Sequence, residues 1–103
     1  MPTVKIVRYT TTPETADENA RLVQDVYAEL AQTRPDGLRY TTFRLDDGVT
    51  FVHLAVLDAE ENPLSRTAAF ARFQADIGQR LVAGPDARDA TVVGSYRFDD
   101  VTG

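Results

Sequence analysis

The segment from Val49 to Leu57 constrains the fold more than any other part of the chain. It reads Val-Thr-Phe-Val-His-Leu-Ala-Val-Leu, with apolar residues at consecutive positions and the only histidine, His53, at its centre. Successive side chains of a strand point to opposite faces of the sheet, so this strand is apolar on both faces. We therefore expect a central strand in a sheet that is covered on both sides.

Length and composition favour one domain over residues 1–103 and exclude several classes of protein. The chain has no cysteine, which rules out disulfides, zinc-thiolate sites and thiol catalysis. Sixteen acidic and eleven basic residues give a net charge of −5, and no basic stripe is present. That balance argues against nucleic acid as a partner, because a phosphate backbone attracts positive charge.

Hydropathy and the first residues of the sequence point to a cytoplasmic protein without a membrane partner. No apolar stretch approaches the roughly 20 residues that a membrane-spanning helix needs. The opening Met-Pro-Thr-Val-Lys leads directly into a strand pattern and lacks the features of a secretory signal.

The first half of the chain predicts a strand, a helix and a hairpin. Thr15 and Glu18 have the spacing of a capping box, which places the start of a helix that runs to about Thr33. Asp46-Asp47-Gly48 suits a tight hairpin turn. The predicted strands are residues 3–10, 38–45 and 49–57, and the helix face consists of Ala20, Val23, Tyr27 and Leu30.

The second half predicts another helix and a fourth strand. Asn62-Pro63 opens this part of the chain, and Gly84-Pro85 is expected to end the helix. A polar loop would follow as far as Asp89, and the apolar run 91–98 would form the strand. The helix prediction rests on a spacing of three and four residues between Phe70, Phe73, Ile77 and Leu81.

The order β-α-β-β-α-β predicts an α+β, ferredoxin-like fold with a four-stranded antiparallel sheet. Right-handed crossovers place both helices on one face of such a sheet, with the first and third strands at its centre. One face would carry Phe51, Ala55 and Leu57, and the other Val52, Leu54 and Val56. A bare apolar face of this extent favours a partner, so we expect a homodimer through the sheet face.

Four segments carry a resemblance to a known family: Tyr40–Arg44, Phe51–Leu54, Ala69–Phe73 and Val93–Tyr96. In these segments the chain resembles the antibiotic biosynthesis monooxygenase-like proteins of the dimeric α/β-barrel superfamily, in which two such sheets pack face to face. The resemblance spans nearly the whole chain and implies a bacterial homodimer.

The resemblance also implies candidate activities, and the sequence departs from the family at two points. Characterised members oxidise polycyclic phenols without metal or flavin, or degrade haem. The tryptophan on which these enzymes rely is absent, and no histidine occurs in the second helix, where residues 68–73 read Ala-Ala-Phe-Ala-Arg-Phe. These departures weaken both activities, and haem degradation most.

His53 is the candidate general base, because its ordinary pKa of about 6.5 allows proton exchange near neutral pH. A neutral imidazole in an apolar site could deprotonate a phenol or enol, whose electron-rich carbon then reacts with dioxygen. A histidine that is merely hydrogen-bonded in the core or at a dimer interface remains an alternative. The chain offers no second nitrogen or sulfur ligand of the usual kinds, so we expect neither a metal nor another cofactor.

The remaining candidates would bind a small apolar or aromatic ligand. Tyrosines could orient a ligand oxygen, an arginine could bind a carboxylate or phenolate, and the helix residues could line the cavity. Core packing or an edge ion pair is the alternative, and more common, explanation for such residues. These candidates are Tyr9, Tyr27, Tyr40, Arg44, Phe70, Phe73 and Tyr96.

Two functions therefore remain open from the sequence. The first is a cofactor-independent monooxygenase, or a related small enzyme, acting on an aromatic or polyketide-like molecule with His53 as the base. The second is a non-catalytic dimeric protein that binds a small molecule or is associated with stress.

Overall fold

Four antiparallel strands form one sheet, and helices cover one of its faces. The structure is a computed structural model that describes residues 3–58 and 61–98. The strands are β1 (Thr3–Thr11), β2 (Leu38–Arg44), β3 (Thr50–Leu57) and β4 (Leu81–Ala90). The helices are α1 (Ala16–Thr33), α2 (Ala68–Ala75) and the short α3 (Ile77–Arg80), with 3₁₀ turns at Pro13–Thr15 and Pro63–Arg66.

The strand order β2-β3-β1-β4 places β1 and β3 at the centre of the sheet. This confirms the predicted α+β, ferredoxin-like fold and the central position of the apolar strand. In the register of β1 and β3, Val7 lies opposite His53 and Tyr9 opposite Phe51. Directly opposite residues share a face, so these four side chains point to the same side. That side faces the helices, where Tyr9 and Phe51 belong to the hydrophobic core.

Helix α1 begins where the sequence predicts, directly after Thr15, but without the predicted cap bond. Thr15 precedes α1 but makes no side-chain cap bond, and its hydroxyl donates instead to the backbone carbonyl of Arg80 at 3.2 Å. Thr12 provides the cap one turn earlier, where its hydroxyl accepts from the amide of Thr15. Thr15 is therefore the N-cap position, as predicted, but its side chain does not form the capping-box bond, because Pro13 begins a 3₁₀ turn ahead of the helix.

The second predicted helix and the fourth predicted strand are displaced along the chain. The helical segment ends at Arg80 rather than at Gly84, and β4 occupies the residues that were predicted to form a polar loop. Residues 91–98 form no strand. The prediction failed because β4 is an edge strand paired only with β1, and its exposed, polar residues give no apolar alternation.

Gly84 shows why a helix-breaking dipeptide is tolerated inside β4. Its φ of +88° lies in the left-handed region, and a Cβ at this position would lie 2.9 Å from the carbonyl oxygen of Arg8. The register of β1 and β4 shifts between Arg8 and Thr10, as at a bulge. Gly84 and Pro85 therefore mark an irregularity at the sheet edge instead of a helix end.

Among residues 3–58 and 61–98, no helix covers the second face of the sheet. Val52, Leu54 and Val56 are half-buried there. Leu54 and Val56 line a depression of about 650 Å³ together with residues 91–96. Val93 is fully exposed and Tyr96 is 82% exposed. Within the described residues, none of the helices has the length and apolar character needed to cross a membrane.

Candidate functional site

His53 lies in the middle of β3 and points into the layer between the sheet and the helices. Its side chain is buried, and three hydroxyl groups surround the imidazole. The Tyr9 hydroxyl lies 2.8 Å from Nε2, whereas the Tyr40 hydroxyl and Oγ1 of Thr42 lie 2.5 and 3.2 Å from Nδ1. Both ring nitrogens are therefore hydrogen-bonded to neighbouring side chains.

The sheet register explains why these groups meet. Thr42 lies directly opposite His53 in the pairing of β2 and β3, and Tyr40 precedes Thr42 by two residues on the same face. On the other side of β3, Val7 lies opposite His53, and Tyr9 follows two residues later on the same face. Each of the two neighbouring strands therefore contributes a tyrosine to the histidine.

The helices extend this hydrogen-bonded group in two directions. Asn19 on α1 is fully buried, and its Nδ2 donates to the Tyr9 hydroxyl at 2.8 Å. Tyr27, two turns further along α1, lies with its hydroxyl 2.7 Å from Oγ1 of Thr42. Its ring stacks on Tyr40 with a centroid distance of 5.2 Å. The result is a connected polar network inside an aromatic core.

A cavity of about 260 Å³ opens beside His53 between the sheet and the α2–α3 segment. The strands contribute the polar side chains of His53, Tyr9, Tyr40 and Lys5. Asn62 and Gln74 contribute polar groups from exposed positions outside the sheet. The volume lies just below the roughly 300–1,000 Å³ of pockets that enclose drug-sized ligands. Its apolar walls are Val7, Ala55, Leu64, Phe70, Phe73 and Ile77.

Burial fixes the protonation states of the site at neutral pH. Loss of solvation lowers the pKa of His53 to about 4, so the imidazole is neutral. The same loss of solvation raises the pKa of Tyr9 and of Tyr27 to about 12, and it also raises the pKa of Tyr40. All three tyrosines therefore keep their protons and can donate hydrogen bonds.

The structure brings most of the sequence candidates together but separates two of them from His53. The cavity beside His53 is also lined by Tyr9, Tyr40, Phe70 and Phe73. Tyr27 is not part of this lining, but its ring stacks on Tyr40. The candidate arginine, Arg44, is exposed: it donates to Asp17 at 3.1 Å and to the carbonyl of Gly48 at 2.8 Å.

Tyr96 is separated from His53 as well, because it belongs to the segment along the second face of the sheet. Its ring is largely exposed and contacts Arg97, with the guanidinium carbon 5.3 Å from the ring centroid. Tyr96 lies far from His53 because β4 is displaced. The fourth strand was predicted at residues 91–98, but the chain forms it at Leu81–Ala90. Neither Arg44 nor Tyr96 is retained as a ligand-binding candidate in this cavity.

Sequence reasoning missed three members of the network. Thr42 could have been predicted from the sequence, because the hairpin pairing of β2 and β3 places it opposite His53. Asn19 and Arg80 could not, since a polar residue in an amphipathic pattern is ordinarily solvent-exposed. Both are buried, and Nε of Arg80 donates to Oδ1 of Asn19 at 3.0 Å.

The polar groups around the cavity are mainly hydrogen-bonding hydroxyls. Among residues 3–58 and 61–98, no three histidine, cysteine or acidic side chains converge. The groups that do converge are one imidazole and several neutral hydroxyls. The hydroxyls are weak metal ligands but good hydrogen-bond partners.

Comparisons with known proteins establish the fold. No protein-family model and no curated protein matches the chain by sequence. Solved structures do match, and one of them is a candidate antibiotic biosynthesis monooxygenase from Bacteroides thetaiotaomicron, with a TM-score of 0.76 and 14% identity over 89% of this chain and 90% of that one.

Two further structures of the same description agree. The protein from Nitrosomonas europaea has a TM-score of 0.74 and 11% identity, covering 89% of this chain and 90% of that one. The protein from Caulobacter crescentus has a TM-score of 0.69 and 19% identity, covering 90% and 91%. At these identities the likeness establishes a common fold and leaves the chemistry to be argued from the site.

Proposed function

Starting from the fold that this chain shares with antibiotic biosynthesis monooxygenase-like structures, we propose that it is a cofactor-independent monooxygenase. Its substrate would be a small aromatic or polyketide-like molecule, and His53 would be the general base. The observation that carries the proposal is the apolar cavity of about 260 Å³ into which His53 and two tyrosines point. A cavity of this size suits a molecule of one or two rings better than a larger polycycle.

The substrate proton would reach His53 through a tyrosine. Both ring nitrogens of His53 are already hydrogen-bonded, Nε2 to Tyr9 and Nδ1 to Tyr40 and Thr42. A ligand hydroxyl in the cavity would therefore contact a tyrosine oxygen, which passes its own proton to the imidazole as it accepts the substrate's proton. A hydroxyl can do this because it is both a donor and an acceptor.

The lowered basicity of His53 limits the class of substrate. An ordinary phenol has a pKa of about 10, and transfer of its proton to a base whose pKa is about 4 is unfavourable by about 8 kcal/mol. An enol or phenol made acidic by a neighbouring carbonyl or second hydroxyl reduces this difference. Attraction between the substrate anion and the imidazolium reduces it further in an apolar cavity. We therefore favour acidic enols and polyhydroxylated aromatic compounds.

Dioxygen would be the oxidant of the deprotonated substrate. Oxidation of a phenol to a quinone removes the hydroxyl proton and one ring hydrogen. One atom of dioxygen becomes the new carbonyl oxygen, and the other leaves as water. His53 would hold the first proton and return it to the peroxide that forms on the ring carbon, which then loses water. The protein's part is to create the anion and exclude solvent.

The weak basicity of His53 also supports a second function, a non-catalytic small-molecule-binding protein. The cavity and its hydroxyl groups would be the same, and the hydrogen-bonded imidazole would then only orient the ligand. The two functions differ in one measurable property: the enzyme consumes dioxygen, and the binding protein does not.

Oxygen uptake tests the proposal. The wild-type protein is mixed with a resorcinol-type naphthalenediol, and dioxygen consumption and quinone absorbance are recorded. We expect catalysed uptake that falls roughly 100-fold or more in His53→Gln, the range for loss of a general base. The dimethyl ether of the same diol cannot ionise and should not react.

Arg44→Ala is the matched control, because Arg44 lies outside the cavity and should leave the rate unchanged. Stabilisation of the protein by the diol without oxygen uptake would contradict the enzyme proposal in favour of the binding protein. Equal rates in the wild type and His53→Gln would contradict the role of His53.

The assembly we propose is a homodimer in which the second faces of two sheets pack together. Half-buried Val52, Leu54 and Val56 support this proposal, as does exposed Val93 beside them. A second copy of the chain would remove this apolar surface from water, which favours association.

A further inference from the structure

Arg80 is a buried cation at the far end of the hydrogen-bonded network. Its side chain is 3% exposed, and in the described part of the chain no carboxylate forms an ion pair with it. Nε donates to Oδ1 of Asn19 at 3.0 Å, and a terminal nitrogen donates to the carbonyl of Phe73 at 2.7 Å. The guanidinium also lies over the Phe73 ring, 5.4 Å from its centroid. Arg80 is therefore held in place by contacts on several sides.

The chemistry of arginine determines which group donates and which accepts in each hydrogen bond of the network; we call this order the direction of the network. A guanidinium only donates hydrogen bonds, so the oxygen of the Asn19 amide must face Arg80. The amide nitrogen of Asn19 then faces Tyr9 and donates to its hydroxyl oxygen at 2.8 Å. Without Arg80, the amide could turn over and accept from Tyr9 instead. The orientation of Asn19 is thus determined by the donor-only group behind it.

The direction continues through Tyr9 to His53. The Tyr9 oxygen accepts from Asn19, and the side chain is 2% exposed, so its own proton needs an acceptor inside the protein. The partner available to it is Nε2 of His53 at 2.8 Å. If Nε2 carried a proton instead, the Tyr9 proton would be buried without an acceptor, which is unfavourable. Nε2 is therefore the acceptor.

Because Nε2 is an acceptor, the protonation of the other ring nitrogen, Nδ1, is also determined. A neutral imidazole has one protonated nitrogen, so the proton lies on Nδ1, which donates to the Tyr40 oxygen or to Thr42. Tyr40 is only half-buried and borders the cavity. Its own hydroxyl proton can therefore reach a ligand oxygen in the cavity, whereas the Tyr9 proton is directed at Nε2.

We propose that Arg80 is a positioning residue that acts through Asn19 and Tyr9 to hold His53 as the Nδ1-protonated tautomer. In this arrangement Tyr9 conducts a proton to Nε2, and Tyr40 donates a hydrogen bond to an oxygen of the ligand. Each side chain donates a hydrogen bond to the next one, in the order Arg80, Asn19, Tyr9, His53 and Tyr40. The roles toward a ligand rest on the proposed function, whereas the tautomer does not.

The tautomer can be measured directly because the chain has a single histidine. In ¹⁵N-labelled wild-type protein at neutral pH, two-bond ¹H–¹⁵N correlation spectra distinguish a pyrrole-type from a pyridine-type ring nitrogen. We expect Nδ1 to be of the pyrrole type and Nε2 of the pyridine type. The opposite assignment in the wild type would overturn the proposal without any substrate being involved.

Asn19→Asp should reverse the hydrogen bonds from residue 19 to Tyr9 and from Tyr9 to His53, with little change in the shape of the side chain. A carboxylate only accepts, so it would accept from Arg80 and from the Tyr9 hydroxyl, and the Tyr9 oxygen would then accept from Nε2. We expect a proton on Nε2 in this variant. The new carboxylate faces Arg80, so the charge is compensated and the fold should tolerate it.

Two further variants complete the test. Gln24→Glu makes the same amide-to-carboxylate change at an exposed position of α1 and should leave His53 unchanged. Arg80→Lys keeps a donor-only cation and should retain the Nδ1 proton. An unaltered tautomer in Asn19→Asp would show that the direction is not transmitted through Tyr9. If the protein gives these spectra but has no oxygenase activity, the proposed function is contradicted. The inference about the His53 tautomer is still supported.

Discussion

The Tyr9 hydroxyl lies 2.8 Å from Nε2 of His53, although 44 residues separate the two along the chain. Antiparallel pairing of β1 with β3 brings them together, and helix α1 closes the space above them with Asn19. The imidazole is therefore removed from water but keeps hydrogen-bond partners at both ring nitrogens. A neutral histidine is satisfied in this environment, whereas a charged one loses its solvation.

The first prediction concerns the stability of the protein between pH 5 and pH 7. The pKa of His53 is about 4 in the folded protein and about 6.5 in the unfolded chain. Between these values the unfolded chain binds more protons, so the free energy of unfolding increases with pH. The stabilisation is complete above pH 6.5 and is lost as the pH falls toward 4. We expect a loss of about 2 kcal/mol from pH 7 to pH 5 in urea unfolding.

His53→Phe provides the control for this prediction. The variant has no titratable ring, so its stability should change much less over the same pH interval. Asp47 also has a lowered pKa, through its bonds with Thr50 and Val49, but its contribution is lost below pH 3.8 and does not enter this window. A wild-type protein equally stable at pH 5 and pH 7 would contradict the burial of a neutral imidazole.

The second prediction concerns the link between α1 and α2. The Glu29 carboxylate accepts hydrogen bonds from the backbone amides of Ala68 and Ala69, at 3.1 and 2.9 Å. These amides begin α2 and have no partners within the helix, so a negative charge there is favourable. Glu29→Ala should lower the free energy of unfolding by about 1–2 kcal/mol.

Urea unfolding of Asp25→Ala is the comparison for Glu29→Ala. Asp25 is an exposed acid on the same helix. Its replacement removes the same charge without touching α2 and should change stability by less than about 0.5 kcal/mol. Equal effects of the two substitutions would show that the contact between Glu29 and α2 contributes nothing specific.

The third prediction concerns assembly through the second face of the sheet. Sedimentation equilibrium of the wild type should give twice the 11.4 kDa mass of one chain. Leu54→Arg places a charge in the centre of the proposed interface and should shift the protein to the single-chain mass, because an unpaired charge is costly to bury. Circular dichroism checks that the variant is folded.

Ala28→Arg makes a similar change on the exposed surface of α1 and should leave the assembly intact. A wild-type protein that sediments only as an 11.4 kDa species at micromolar concentration would contradict the dimer proposal.

The sequence was most informative where burial dictates the pattern of residues. Consecutive apolar residues identified β3 as the central strand, and the spacing of apolar residues located α1 to within a residue at its C-terminal end. The same criterion failed at β4, because an edge strand exposes its side chains and needs no apolar alternation. Residues 91–98 have that alternation but form no strand, and most of them line the second face of the sheet.

By itself, the sequence determined the topology, the central place of His53 and the presence of tyrosines on the strands beside it. Only the tertiary structure decided which face His53 occupies and which groups surround it. Asn19 and Arg80 are 61 residues apart, and neither carries a local signal of burial. Their meeting depends on how α1 packs near the end of α3, because hydrogen bonds between distant side chains follow from packing and leave no periodic trace in the chain.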